Sequence, residues 1–503
     1  MSQLPDYVAS AQPNSFENRA PWLTTTAATY AGIMLWFVFW ANLPGGGAAY
    51  AGGVLSQGLL FALISVVVAA FICYTCFYHV PGMLGMKTGL PLYIVGTSTY
   101  GVKGGFIMPG FTMGCLQFGW LAVNGYGAGG GFAVLLFGLE ALNGPAHIGI
   151  GFVWAAIAAF VGLKGIKYVG IVATWMPIIP IVVLLYLLFT NIGGIFSFDP
   201  SALVATGIAA AAAAEPAREI GPYGLYGLGI LGSFAGQLGV LSLICVYVVG
   251  FFATAGAAGC DFGSNNKDRN AVIFAGLVGI VGAIVFTGVI ALIVVAGAQE
   301  KLALATAAAA EAGEAAPSLL NPYLSMAHIV GPTLGGLFIL LLAIAAFPSA
   351  CFSSLIAANS FKTTLPKVNP FISCGIGTGV ACLLIIVMSF EVPMSSVFKF
   401  IGAMFGPVCG AMMADYLLSG KKWAGPREGF NLPGWISWGV GFLVGGLPIL
   451  GALTFFAPVF GIFYAVIPCP PVAAFVVGFV LYYILARAGL ESKKLDMPQR
   501  IDV

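Results

Sequence analysis

The chain has 503 residues, 60% hydrophobic and only 7% charged, against about 25% charged in an ordinary soluble domain. That balance excludes a soluble enzyme, and it excludes a disordered chain, which needs low hydrophobicity and high net charge. A formal net charge of +2 with no basic tract leaves nucleic-acid binding without an electrostatic footing, while mean hydropathy of +1.01 over long apolar runs predicts an all-α polytopic protein of the lipid bilayer.

Residues 1–23 are polar and hold no apolar core before a small-residue cleavage site, so they read as a tail and not as a removed signal. Runs of about 20 apolar residues then predict twelve spans, near 24–44, 53–80, 104–134, 146–164, 168–192, 231–257, 270–298, 325–360, 369–390, 396–419, 433–456 and 462–487. The third and eighth are overlong and must tilt, kink or leave the membrane. Two connections are longer than the rest. One is 193–230, with an alanine run at 209–214; the other is 299–322, with Glu300, Glu311 and Glu314. Alanine with occasional Glu favours helix, so either short surface helices or a low-complexity linker fits them. No segment is long enough for a soluble domain.

Charge sets the orientation. With the N-terminus in the cytoplasm, sixteen of the nineteen basic residues fall inside and only Arg218, Lys301 and Lys399 outside. The positive-inside rule expects that asymmetry, which supports the span count and places both termini in the cytoplasm, in a plasma membrane or, in a bacterium, the inner membrane. The ten cysteines are scattered through apolar runs and read as small buried hydrophobes, C-x-x-C at Cys73 and Cys76 included.

Non-helical backbone survives at membrane depth only where it is buried or lines a cavity. Glycines interrupt the first span at Gly32 and the sixth at Gly250, Gly256 and Gly259. Isolated glycines also serve helix packing, but these spans are matching members of two halves of five, the pattern of inverted-repeat transporters. The glycine-rich segment from Pro81 to Gly105 is too polar to span, and it is expected along the inner surface or in an inner cavity.

On the third span Gln117, Trp120 and Asn124 share one face at i, i+3 and i+7. An indole plane between two carboxamides suits a flat, neutral solute with several hydrogen-bonding edges; amides that hold helices together are the other reading. Phe252 and Thr254 stand by the break in the sixth span. On the eighth, Ser349, Ser353 and Ser354 follow Phe347–Pro348, where Pro348 frees a carbonyl. Their hydroxyls are either hard oxygen ligands for a small cation or back-bonded to their own helix. No charged side chain is central: Asp261 and Asp415 sit near inner ends, Glu391 and Lys399 near an outer one. His79, His147 and His328 are singletons, so a metal centre is not expected, and no phosphate-binding loop supplies ATP chemistry.

The block KTGLPLYIVGTSTYGVKGGFIMPGFTMGCLQFGW (Lys87 to Trp120), the segment GFFATAGAAGCDF (Gly250 to Phe262) and GAMFGPVCGAMMADYL (Gly402 to Leu417) together resemble the nucleobase:cation symporter-1 family, most of all its cytosine permease branch. The resemblance implies a twelve-helix, five-plus-five inverted-repeat fold of the leucine-transporter type, with helices 1 and 6 broken. The repeats would occupy 24–192 and 231–420, spans eleven and twelve 421–487, and a cytoplasmic tail 488–503. It also implies that Gln117 and Trp120 bond and stack the nucleobase, Phe252 sandwiches it and Thr254 is a polar contact nearby; Asn124 joins the expected substrate set by its spacing on the same face. Sodium would take the carbonyls of Gly32, Leu35 and Ala345 with Ser349, and Ser353 under a shifted register. Here the chain departs from the family: where sodium-coupled members often carry two neighbouring hydroxyls, it has Ser349–Ala350, so the coupling ion is Na+ or H+. No other cofactor is implied.

The function expected is therefore import of a cytosine-like nucleobase or related neutral N-heterocycle by cation symport. The alternatives are a carrier for a hydantoin, allantoin, amino acid or amine on the same fold, and a transporter-derived sensor. An intramembrane enzyme is the reading least expected, for want of a nucleophile–base pair or a His-rich metal cluster.

Overall fold

The computed structural model describes residues 4–22, 40, 53–165, 168–169, 172, 175–204, 232–312, 322–390, 395–452, 459 and 467–497. Among them, eleven helices are long and apolar enough to cross a membrane, one for each of the second to twelfth predicted spans. The first predicted span, with Gly32 and Leu35, lies outside the described residues, as does the alanine run at 209–214. Helix dominates because lipid offers no partners, so each segment must satisfy its own backbone. Prolines open the helices Pro145–Leu163, Pro332–Ala345 and Pro470–Arg487, at positions where no N–H is needed.

The overlong spans resolve into pieces. The third enters through a π-helical turn, Phe106–Phe111, around Pro109, which has no N–H to give to a regular ladder; the helix Thr112–Phe137 follows. The eighth is three helices: Pro322–Val330, Pro332–Ala345 and Phe347–Thr364. Gly331, at φ 89°, makes the first break and Ala346 the second. The seventh span departs from its expected end near 298, running on as helix to Ala312, so much of the connection predicted at 299–322 simply continues the span.

The sixth span is the most buried of those described. It changes to a π-helical turn at Cys245–Val249, resumes as Gly250–Ala257, and is interrupted at Ala258 before a short helix, Gly259–Gly263. Spans three and four pack at glycine contacts: a Cβ on Gly129 would fall 2.9 Å from the Gly151 nitrogen. Span three is thereby pressed against four, eight and nine, with its polar face turned to span six.

One end of the bundle gathers the loops that the charge pattern assigned to one side. Tyr7 donates to the Val102 carbonyl. Arg19 donates to the carbonyls of Asn14 and Met86, Ala20 pairs with Asn266, and the Lys87 ammonium reaches the Lys421 carbonyl at 2.6 Å. The 81–105 segment is packed inside this end and not laid on it. Ser98 and Thr99 donate to Asp415 Oδ2 at 2.6 and 3.2 Å. Buried Arg427 pairs with Asp415 at 3.0 Å and Glu491 at 2.5 Å. At the opposite end Lys301 bonds Asn191 and Gln299 bonds Asp199. All ten cysteines are free thiols, and only Cys115 is exposed.

Candidate functional site

Spans three, six and eight line a cavity whose empty space, its opening to solvent included, is about 520 Å³. Each span contributes one helical face. From span three come Gln117, Trp120 and Asn124; from span eight come Ser349, Phe352, Ser353 and Ile356; from span six come Phe251, Thr254, Ala255 and Ala258, with Phe262 beyond the break. The increments of three and four within each set are those of a helical stripe. None of these side chains carries a formal charge.

Trp120 is fixed on three sides. Its indole N–H donates to Thr254 Oγ1 at 2.9 Å. Phe398 of span ten stacks on it at 5.3 Å and 21°, and Phe251 meets it edge-on at 4.6 Å and 68°. Gln117 is buried, yet its amide nitrogen reaches only the Met113 sulfur, at 3.3 Å, a weak acceptor. Most of its hydrogen-bonding capacity is thus uncommitted. The Asn124 amide donates to the Trp120 carbonyl at 2.8 Å, and its Oδ1 takes the Ser349 hydroxyl at 2.5 Å. Ser353 back-bonds to the Ser349 carbonyl at 3.1 Å.

Gln117, Trp120, Asn124, Thr254, Ser349 and Ser353 therefore meet around one cavity. Phe252 does not join them: it is buried outside the cavity lining, which holds its neighbour Phe251 instead. The reason is periodicity, since residues two apart on a helix face opposite ways and Thr254 already faces inward. Ala345 is buried one residue before the break at Ala346. The other two expected cation ligands, Gly32 and Leu35, belong to the undescribed first span. Asn124 and Ser349, expected to serve substrate and cation separately, are bonded to each other. Phe398 was not expected at all, as nothing in the pattern of span ten marks it off from exposed Phe400. Among the described residues no three His, Cys, Asp or Glu side chains converge on a possible metal position.

The sequence profile of a family described as permease for cytosine/purines, uracil, thiamine, allantoin matches residues 23–424. None of the curated proteins matches the chain. Among solved structures the chain is similar to Mhp1, described as a nucleobase-cation-symport-1 family transporter, in a closed conformation with bromovinylhydantoin bound. The identity is 14%, the TM-score 0.60, and 95% of each chain is covered. Mhp1 in an inward-facing conformation gives 14%, 0.62, and 97% of this chain with 95% of that one. A Na+-coupled sialic acid symporter in a substrate-bound outward-open state gives 15%, 0.53, and 98% with 93%. At such identities the likeness is one of fold, and the fold is the leucine-transporter type with its five-plus-five repeat.

Proposed function

The chain belongs to this family of permeases, and is a membrane transporter and not an enzyme; from that premise we propose that it imports a flat, neutral N-heterocycle of the nucleobase class by cation symport and alternating access. The observation that carries the reading is the cavity itself: one indole plane, a largely uncommitted carboxamide beside it, and no charge among the described lining side chains. The first span adds none, because the sequence has no Asp, Glu, Lys or Arg between Arg19 and Lys87. A charged solute would be desolvated there without a partner.

In this reading the ring lies against the face of Trp120 that Phe398 leaves free, with Phe251 at its rim. Gln117 reads the hydrogen-bonding edge, while Thr254 and Asn124 hold the indole and its helix in place. Ser349 ties Asn124 to span eight, so ring binding is felt by that helix. The basic end of the bundle faces the cytoplasm, with both termini. Uptake of radiolabelled cytosine into proteoliposomes, competed with uracil, hydantoin, allantoin and phenylalanine, tests the proposal. Competition by the heterocycles alone is expected. Competition by phenylalanine alone would move the chain to the amino-acid carriers on the same fold.

A further inference from the structure

Beneath the cavity, span six ends in a carboxylate that ring recognition does not use. Ala258 and Phe262 line the cavity, and Asp261 lies between them in the short helix Gly259–Gly263, beyond the membrane-crossing stretch that closes at Ala257. Its Oδ1 accepts the backbone N–H of Leu92 at 3.2 Å. That bond joins the inner end of span six to the buried segment leading into span three. Its own carbonyl takes Ser264 Oγ at 2.7 Å and Asn265 Nδ2 at 2.9 Å, so the backbone that carries the carboxylate is held in place.

Asp261 forms no ion pair with any described residue. Among the described residues, the ionisable groups on the elements around it are uncharged, committed elsewhere or exposed to solvent. Cys260, beside it, donates to the Leu90 carbonyl, and Tyr93 is the titratable group of the Leu92–Val95 turn. From His79–Thr88, Lys87 bonds the Lys421 carbonyl and His79 bonds Tyr74. Arg19 is held by Asn14 and Met86. Asp268 caps the next helix at Ala271, and Lys267 points to solvent. The helix Gly250–Ala257 has no ionisable side chain.

We propose that Asp261 is the proton-binding site of coupling, which takes a proton arriving through the cavity while its joint with Leu92 is closed and yields it to cytoplasmic water when that joint opens. The step forms one O–H bond on the carboxylate and later breaks it to water, carrying one positive charge inward with each neutral ring. It rests on the reading of the chain as an importer with its basic end inside. Burial pushes the Asp261 carboxyl up to about 6, with the Leu92 N–H pulling the other way. A hydrated Asp titrates near 3.9, so the closed joint holds the proton more tightly than an open, hydrated one. The sign follows: protonation favours the closed joint, an advantage complete below about pH 4 and lost as pH rises through about 6.

The test compares the full-length protein with Asp261→Asn in proteoliposomes, using radiolabelled cytosine and an imposed gradient of about pH 5.5 outside and about pH 7.5 inside. The wild type should concentrate cytosine. The variant should fall to the level reached without a gradient, and its counterflow should be flat over the pH range in which the wild type varies. Accumulation by the variant at the wild-type level overturns the site, as does wild-type accumulation that follows sodium and ignores the proton gradient. Absence of wild-type counterflow with cytosine, uracil and hydantoin refutes the nucleobase reading instead. The carboxyl is then judged by melting: the wild type must gain on the variant as pH falls from about 7 to about 5, and parallel curves overturn it. If the variant cannot be recovered folded, Asp261→Glu must shift the pH of half-maximal accumulation, and an unshifted profile overturns the site.

Discussion

Replacing Trp120 separates a recognition plane from a packing residue. The indole is nearly buried, with Phe398 on one face and Phe251 at its edge, so a ligand has only the remaining face. A flat ring laid there can hide only the indole surface still exposed, roughly 15 Å² for a side chain of about 250 Å² that is 6% exposed, or about 0.4 kcal/mol at about 25 cal/mol per Å². Aromatic stacking adds about 0.5–1.5 kcal/mol beyond burial. Trp120→Ala should therefore weaken cytosine binding by roughly 5- to 25-fold, with every flat ligand affected alike. Trp120→Phe keeps a plane against Phe398 and should lose only about twofold. Thr254→Val leaves the plane but strands the indole N–H, a cost of about 1–3 kcal/mol borne by free and bound protein together, so it should lower the melting temperature far more than the affinity. Scintillation-proximity binding and melting of all three purified variants read these differences. Well-folded Trp120→Ala that binds cytosine within about threefold of wild type would remove the indole from the site.

Gln117→Leu keeps the side-chain volume and removes the edge reader, so cytosine, uracil and hydantoin should be reordered in competition assays, with losses of about 1–3 kcal/mol for whichever ring bonds the amide; uniform losses would make Gln117 a packing residue. Arg427→Met strands buried Asp415, at a cost of about 3–5 kcal/mol, and should sharply reduce monodisperse protein, whereas adding Asp415→Leu should restore part of the yield; equal yields would show that the pair carries little. Cysteines placed at the exposed positions Lys267 and Lys421 should react with an impermeant maleimide only in inverted vesicles, and labelling of either in intact cells would break the orientation.

What was legible in the sequence is what a helix reveals about itself. The spans could be read because lipid forces each to close its own hydrogen bonds, and the Gln117–Trp120–Asn124 face because increments of three and four define a side. The same arithmetic, applied to span six, would have paired Thr254 with Phe251. The position taken from the family resemblance, Phe252, lies two residues from Thr254 and had to face away. The break at Gly331 was likewise written in the Gly331–Pro332 pair inside an overlong run. What stayed hidden is the choice of partner between helices. Phe398 stacks on Trp120 from a span with no distinguishing pattern, and Arg427 meets Asp415 and Glu491 across loops whose docking no local rule sets. The pair Asn124 and Ser349 shows why this matters for function. Read separately, one residue belonged to the substrate and the other to a cation, yet their side chains are 2.5 Å apart. A ring that draws on Asn124 must disturb Ser349, and a change in span eight must move Asn124 and, through its bond to the Trp120 carbonyl, the helix that carries the stacking plane. In the proposed reading recognition and conformational change share one hydrogen bond between spans three and eight, and a substitution at either end of it should act on both.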